Sequence, residues 1–344
     1  MVIVDVATLL VSIVALWLGA RWLVAAASRL ASAVGVSALI VGLTVVAFGT
    51  SAPEFAVTVE AALAGRADIS IGNVVGSNVF NLGVILGGVA IVRPFRATDS
   101  LVRRDAVVMA VTTVFVLVFL ADVAITRLEG VFLCIALLTY LGGLIVAARG
   151  QVAEEGRDAV TGDEGRGAVT GEEGKDAVTD EELESTRELE SETTATGPVD
   201  WIDVPRLLVG LALVVVGGGL LVETAAGLAR DAGVSQWVVG MTVVAAGTSV
   251  PELATSLVAA RKGDVGIAAG NVVGSNVFNL LGVLGIAAVI RPMTVSTEAV
   301  IGLVWLLVLT IVATALLATG RRLIRLEGVA LVGFVAVYWV VALG

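Results

Sequence analysis

The second half of this 344-residue chain repeats its first half at one constant offset of 198 residues. Gly35-Val-Ser returns as Gly233-Val-Ser, and Gly49-Thr-Ser-Ala-Pro-Glu54 returns as Gly247-Thr-Ser-Val-Pro-Glu252. The eleven residues from Gly72 to Leu82, GNVVGSNVFNL, recur unchanged at 270–280. Arg93-Pro94 matches Arg291-Pro292, and Arg127-Leu-Glu-Gly-Val131 matches Arg325-Leu-Glu-Gly-Val329. A repeat of this length makes each half one structural unit, and whatever one half builds the other must build again.

The repeated unit is made for lipid. Hydrophobic residues make up 58% of the chain and charged residues 15%, with a mean hydropathy of +1.01. A spanning helix needs about 20 apolar residues. Apolar runs occur at about 7–28, 38–64, 71–92, 105–121, 130–148, 205–229, 236–260, 266–290, 299–319 and 327–343, five on each side of a polar segment. Five is odd, so the two halves must enter the membrane in opposite senses. The expected fold is an all-α integral membrane protein of ten transmembrane helices, arranged as two inverted five-helix repeats. The expected organisation is a first repeat over 1–149, an acidic disordered loop over 150–200 and a second repeat over 201–344. A soluble enzyme is excluded, and with no histidine and one cysteine, Cys134, so are a histidine base, a His/Cys metal cage and an intrachain disulfide. Cys134 reads as an inert packed thiol.

Charge assigns the sides. Arg29, Arg93, Arg96, Arg103, Arg104, Arg261, Lys262, Arg321, Arg322 and Arg325 fall in one alternate set of loops, and only Arg66, Arg127, Arg230 and Arg291 in the other. The positive-inside rule places the first set in the cytoplasm, both termini outside and the central loop inside the cell. Trp201 and Trp237 lie near span ends, where indole rings favour the interface. The first 28 residues read as a retained helix, because Asp5 stands where a signal peptide carries positive charge. The whole-chain charge of −10 belongs to the loop: residues 151–198 hold 15 acidic and 4 basic residues. Three tandem nonapeptides from 156, 165 and 174 and a Glu-rich tail cannot bury a core, so the segment is expected to stay a disordered linker. Nothing basic suggests nucleic acid.

Chemistry must come from oxygen. An ionised carboxylate in a spanning helix costs roughly 2.5–3.5 kcal/mol on insertion scales and marks a functional site. Glu54 and Glu252 are such residues at equivalent places, each following Gly-Thr-Ser-x-Pro. Proline removes a helical donor and glycine lets the backbone leave helical geometry, so both helices should break there. A break at membrane depth is tolerated only facing protein or a wet cavity, and it should free carbonyls around Ala47, Thr50, Ala245 and Thr248. Thr50, Ser51 and Glu54 share a helical face, as do Ser77 with Asn81 and Ser275 with Asn279. Glycines 72, 76, 83, 270, 274 and 282 permit close helix approach. Together these groups form an all-oxygen site for a hard cation. Calcium takes about six to eight oxygens, and two glutamates neutralise it. Glu60 and Glu223 also lie in apolar runs but have no repeat equivalent; they read as interfacial or helix-pairing.

The paired motifs Gly-Thr-Ser-x-Pro-Glu and Gly-Asn-Val-Val-Gly-Ser-Asn-Val-Phe-Asn resemble those of the sodium/calcium exchangers of the cation/calcium exchanger superfamily, over both halves but not the acidic loop. The resemblance implies alternating access and exchange of about three sodium ions for one calcium at a central cluster of sites. It implies calcium ligation by Glu54, Glu252 and the carbonyls of Thr50 and Thr248. It adds Ala47, Ser51, Ser77, Ala245, Ser249 and Ser275 as sodium ligands, with Asn81 and Asn279 in the same cluster. Potassium-dependent relatives resemble this chain with an acid at the position of Asn279, so an amide there argues against a potassium requirement. The expectation is a sodium/calcium antiporter of the cell membrane that exports calcium, with no cofactor beyond the transported ions and no obligatory protein partner. A calcium/proton antiporter using the same glutamates is the alternative; a passive cation channel suits inverted repeats with paired broken helices less well.

Overall fold

The structure, a computed structural model, describes residues 2–34, 36–164, 200–231 and 245–343. It is built almost wholly from helices, the form in which an apolar segment satisfies its own backbone polar groups. The first half contains α1 (Val2–Val34), then α2 (Ala38–Val41), a π-helical turn (Gly42–Val46) and α3 (Ala47–Thr50) in one line, followed by α4 (Ala52–Leu63). Next come α5 (Ala67–Phe80), a π-helical turn (Asn81–Ile85) and α6 (Leu86–Val92), then α7 (Ala106–Phe119) and α8 (Arg127–Glu164). The second half contains α9 (Asp203–Asp231), α10 (Ala245–Thr248), α11 (Val250–Lys262) and α12 (Val265–Phe278). A π-helical turn (Asn279–Val283) leads into α13 (Leu284–Ile290), and α14 (Thr297–Ala318) and α15 (Arg325–Leu343) follow.

Among the described residues seven helices are long and apolar enough to cross a membrane, or eight if the bent pair Ala38–Thr50 and Ala52–Leu63 counts as one span. The count of ten expected from the apolar runs is therefore not reached by these residues. The run expected at 236–260 begins within 232–244, and these positions, with Gly233-Val-Ser and Trp237, lie outside the described residues. Two spans form the centre. Ala67–Val92 and Val265–Ile290 are 78% buried within the protein, whereas the remaining spans are 39% or less and turn most of their surface outward. These two carry the GNVVGSNVFNL motif, whose small residues allow that burial.

Helix α8 continues to Glu164, about four helical turns past position 149, where the acidic loop is expected to begin. An α-helix makes its hydrogen bonds internally and needs no core; residues 150–164 contain no proline, and Glu154, Glu155, Ala153 and Ala159 favour a helix there against the cost of three glycines. The expectation of disorder over the rest of the loop falls on 165–199, outside the described residues.

The chain is also not purely helical. β1 (Phe95–Arg96) pairs antiparallel with β4 (Arg322–Leu323), and β2 (Ala124–Ile125) with β3 (Met293–Thr294). The cause is the Arg-Pro dipeptide of each half. The residue before a proline is pushed to extended geometry, and Arg93 (φ −142°, ψ 103°) and Arg291 (φ −144°, ψ 118°) end their helices in that way. Each emerging strand, β1 or β3, then pairs with the short strand before the last helix of the other half, β4 or β2. Both ladders join one half to the other, and advancing every residue of the first half by 198 converts each ladder into its counterpart.

The same contacts sort the charges. The β1–β4 ladder sets Arg96 opposite Arg322, Arg93 lies against Gly263, and Ser28 donates to Asp264, so the richer basic set gathers at one end. At the other, Arg291 donates to the carbonyl of Leu63 and Asp68 accepts from the backbone of Ser296. Trp201 is exposed two residues before α9. Cys134 is half-buried against Gly285.

Close approach of the halves depends on glycine. A Cβ on Gly270 would sit 2.6 Å from the carbonyl oxygen of Leu39 and 3.0 Å from the backbone nitrogen of Leu43, and backbone cannot swing away. Gly274 is as tight, at 2.6 Å from Leu43 O. A Cβ on Gly72 would meet no described atom of another element within 4 Å. Gly270→Ala should lower stability by about 1–3 kcal/mol through overpacking, whereas Gly142→Ala, with open space around it, should be neutral or slightly stabilising. Thermal unfolding of the detergent-solubilised protein checks both; equal midpoints would mean that the halves are not in contact at Gly270.

Candidate cation site

Each half contributes one broken helix and one buried helix. The breaks fall at Ser51 (φ −79°, ψ 9°) and Ser249 (φ −88°, ψ 7°), just before Pro53 and Pro251, which occupy the first turns of α4 and α11 and have no N–H to give the preceding turn. Between Ala38–Thr50 and Ala52–Leu63 the axis bends by 48°. This bend turns Glu54 inward, and the repeat does the same for Glu252. Both are completely buried, as are Thr50, Ser51, Ser77, Asn81, Ser249, Ser275 and Asn279; Ala47 and Thr248 are nearly so. Ala245 opens α10.

The predicted residues meet across the halves. Ser51 Oγ donates to Glu252 Oε1 at 3.0 Å, and Ser249 Oγ donates to Glu54 Oε1 at 3.0 Å. Thr50 Oγ1 lies 3.1 Å from both the carbonyl of Val46 and Asn271 Oδ1, and Thr248 Oγ1 donates to Asn73 Oδ1 at 3.3 Å. Ser77 Oγ donates to the carbonyl of Asn73 at 2.7 Å, and Ser275 Oγ to that of Ala47 at 3.5 Å. Each hydroxyl has one hydrogen and two lone pairs. With the hydrogens committed to these acceptors, the hydroxyls can offer only oxygen lone pairs to a ligand.

The Ala47 carbonyl departs from expectation. It is not freed by the break, because it still accepts from the backbone N–H of Ser51 at 3.1 Å. The helix holds its hydrogen bonding one turn further than the motif suggests, and Ala47 O can serve a ligand only in competition with its donors.

Among the described residues no positive charge reaches this cluster. Among the described residues the ion pairs join Arg29 and Arg206 to Asp203, Arg104 to Asp105 and Arg321 to Asp99, none of them touching either glutamate. Among the described residues, four buried oxygens of the cluster have no hydrogen-bond partner: Glu54 Oε2, Glu252 Oε2, Asn81 Oδ1 and Asn279 Oδ1. Each half supplies one carboxylate and one amide. A buried acceptor left unmade costs about 1–3 kcal/mol, more when it carries charge, so four of them together describe a place for a cation. Among the described residues no three of His, Cys, Asp or Glu are grouped to hold a metal. The donors are two carboxylates with neutral hydroxyl, amide and carbonyl oxygens, a set for hard cations rather than for soft transition metals.

Sequence reasoning missed the second ring. Asn73 and Asn271 are buried; Asn73 Nδ2 donates to the carbonyl of Glu54 at 3.2 Å and to Thr58 Oγ1 at 3.0 Å, and Asn271 Nδ2 to the carbonyl of Glu252 at 3.3 Å and to Ser256 Oγ at 3.0 Å. The available signal was their spacing, since 73, 77 and 81 lie on one face of one helix. Asp105, buried on its helix and accepting from Tyr140 Oη at 3.2 Å, was missed as well; Leu303 stands at its repeat position, so it has no counterpart. Glu60 and Glu223 are exposed and stand apart from the site.

Comparison with known proteins identifies the family of the chain. Residues 4–146 and 204–344 match the family described as sodium/calcium exchanger protein. The chain is 32% identical to the sodium/calcium exchanger MaX1 of Methanosarcina acetivorans, covering 99% of each protein. It is 34% identical to the inner membrane protein YrbG of Escherichia coli over 83% of this chain and 80% of that one. It is 32% identical to the putative antiporter CaxA of Alkalimonas amylolytica over 87% and 84%. A solved structure of the sodium-calcium exchanger NCX_Mj, soaked with sodium and strontium, superposes with a TM-score of 0.78 at 27% identity and covers 99% of both chains.

Proposed function

From a chain that belongs to the sodium/calcium exchanger protein family, whose members are multi-pass membrane transporters rather than enzymes, we propose a sodium/calcium antiporter working by alternating access. The observation that carries this reading is the set of four unpartnered buried oxygens, Glu54 Oε2, Glu252 Oε2, Asn81 Oδ1 and Asn279 Oδ1, ringed by hydroxyls whose hydrogens are already given away. Two carboxylates neutralise one calcium ion, which the carbonyls of Thr50 and Thr248 also ligate, and the surrounding Ser51, Ser77, Ser249 and Ser275 supply oxygens that suit sodium. Ala245 contributes a backbone carbonyl, and Ala47 contributes one in competition with the donors it already accepts from. About three sodium ions replace one calcium in each cycle, so that one net charge moves and the sodium gradient drives calcium out of the cell.

The architecture that suits this cycle is ten spans in two inverted halves, with the site where the halves meet. Helices α1 and α9, which pack along each other, slide against the bundle that carries the site. The gathering of Arg93, Arg96, Arg321 and Arg322 at one end favours a plasma-membrane orientation with that end and the acidic loop in the cytoplasm and both termini outside.

The test is calcium-45 uptake into proteoliposomes preloaded with sodium, potassium or protons at matched osmolarity. Uptake that requires internal sodium is expected. A second reading has one observation in its favour: an unpartnered carboxylate oxygen can be satisfied by a proton as well as by a cation. Uptake following a proton gradient alone would select this calcium/proton antiporter and return the serines to packing.

A further inference from the structure

The cluster contains four buried amides from the repeated Ser-Asn-x-x-Asn, and the polarity of each can be deduced rather than assumed. A backbone carbonyl only accepts, so it serves as a fixed reference. Asn78 approaches the carbonyl of Asn276 at 3.4 Å and must place its NH2 there. Its Oδ1 then faces the other way, towards the side chain of Asn279 at 3.3 Å, and two acceptors cannot meet. Asn279 must therefore turn its Nδ2 to Asn78, where it also donates to Ser77 Oγ at 3.4 Å. What remains at Asn279 is Oδ1, the atom without a partner.

The other half repeats the logic from the opposite side. Asn276 places its NH2 on the carbonyl of Asn78 at 3.4 Å, with Met109 Sδ at 3.7 Å. Its Oδ1 accepts from Asn81 Nδ2 at 3.1 Å, which leaves Asn81 Oδ1 unpartnered. An amide on its own presents either end, and the nitrogen end repels a cation. Two helix carbonyls, through two intermediate amides, remove that choice at both places.

We infer that Asn78 and Asn276 are positioning residues that fix the amide orientation of Asn279 and Asn81, so that both present oxygen to the cation. The inference rests on the cation-site reading above and deepens it. It also bears on specificity: an ionised acid at position 279 would meet the Oδ1 of Asn78, so the pair favours a neutral group there and holds the formal charge of the site at that of two glutamates.

A double-mutant cycle tests it, with calcium-45 uptake by sodium-loaded proteoliposomes of the full chain and half-saturating calcium as the readout. Asn78→Ala and Asn279→Ala should each raise half-saturating calcium by about tenfold. Combined, they should do no worse than either alone, because Asn78 acts only through Asn279. Asn78→Ala with Asn81→Ala should instead multiply to about a hundredfold, since those two belong to separate chains of hydrogen bonds. A merely structural role for Asn78 would give multiplication in both pairs, and that result would overturn the inference. If Asn78→Ala does not yield a monodisperse protein, Asn276→Ala with Asn81→Ala, set against Asn276→Ala with Asn279→Ala, is the same cycle in the other half. Wild type lacking sodium-dependent uptake would reject the functional reading and the inference with it; a transporting wild type with multiplicative cycles would reject the inference alone.

Discussion

Glu54→Gln and Glu252→Gln should each reduce sodium-dependent calcium flux by about a hundredfold or more. Unit charges 4 Å apart interact by about 4 kcal/mol at an effective dielectric constant near 20, and a calcium ion doubles that. Glutamine keeps the shape, and its carbonyl oxygen can still accept the hydroxyl of Ser51 or Ser249, so the fold should survive. The loss therefore measures charge alone. The same substitutions should make the cation-free protein more stable, because an ionised carboxylate buried among helices is costly, and among the described residues neither glutamate has a cationic partner to offset it. Calcium should stabilise the wild type by about 2.7 kcal/mol at a hundred times its dissociation constant, raising its unfolding midpoint, and barely move that of either variant. Flux that persists in both variants would sink the site assignment. A glutamine variant that melts earlier than wild type without cations would show that the carboxylates hold the fold rather than the ion.

Much of this site is legible in the amino-acid order, for a physical reason. A carboxylate in an apolar run is expensive, and an expensive residue that recurs at the same place in a repeat must be offset by something it does; that singles out Glu54 and Glu252. The hydroxyls and Asn81 and Asn279 follow from helical spacing. Asn73 and Asn271 escape although they share the face of Ser77 and Ser275, because an asparagine inside a glycine-rich helix looks the same whether it packs or organises. The π-helical turns at Asn81–Ile85 and Asn279–Val283 escape because one extra residue in a turn leaves no trace in a periodicity of 3.6. Arg93-Pro94 and Arg291-Pro292 can be read as helix stops, but not the strands that follow, since a two-residue ladder depends on a partner some two hundred positions away. The persistence of α8 to Glu164 is hidden because low hydrophobicity argues against a core and says little about a helix that needs none.

Asn73→Leu and Asn271→Leu should each destabilise the protein by about 2–3 kcal/mol and by nearly the same amount. Leucine fills the volume but ends three hydrogen bonds at each place. Asn73 grips its own half at the carbonyl of Glu54 and at Thr58, and takes a hydrogen from Thr248 of the other half. Asn271 does the same with the carbonyl of Glu252, Ser256 and Thr50. At the modest average of about 0.6 kcal/mol for a hydrogen bond between membrane helices, three come to about 2 kcal/mol; the groups left unsatisfied add the rest. Asn73→Asp should separate the two grips, since a carboxylate still accepts from Thr248 but cannot donate to Glu54 O or Thr58. Transport should fall with stability in the leucine variants, because the carbonyl being held belongs to the residue that carries the charge. Thermal unfolding and sodium-dependent uptake measured on the same preparations decide the matter. A large loss at one asparagine and none at the other would break the equivalence of the halves. Unchanged stability at both would mean that the glutamates are held by their hydroxyl partners alone, and that the amides beside them are packing.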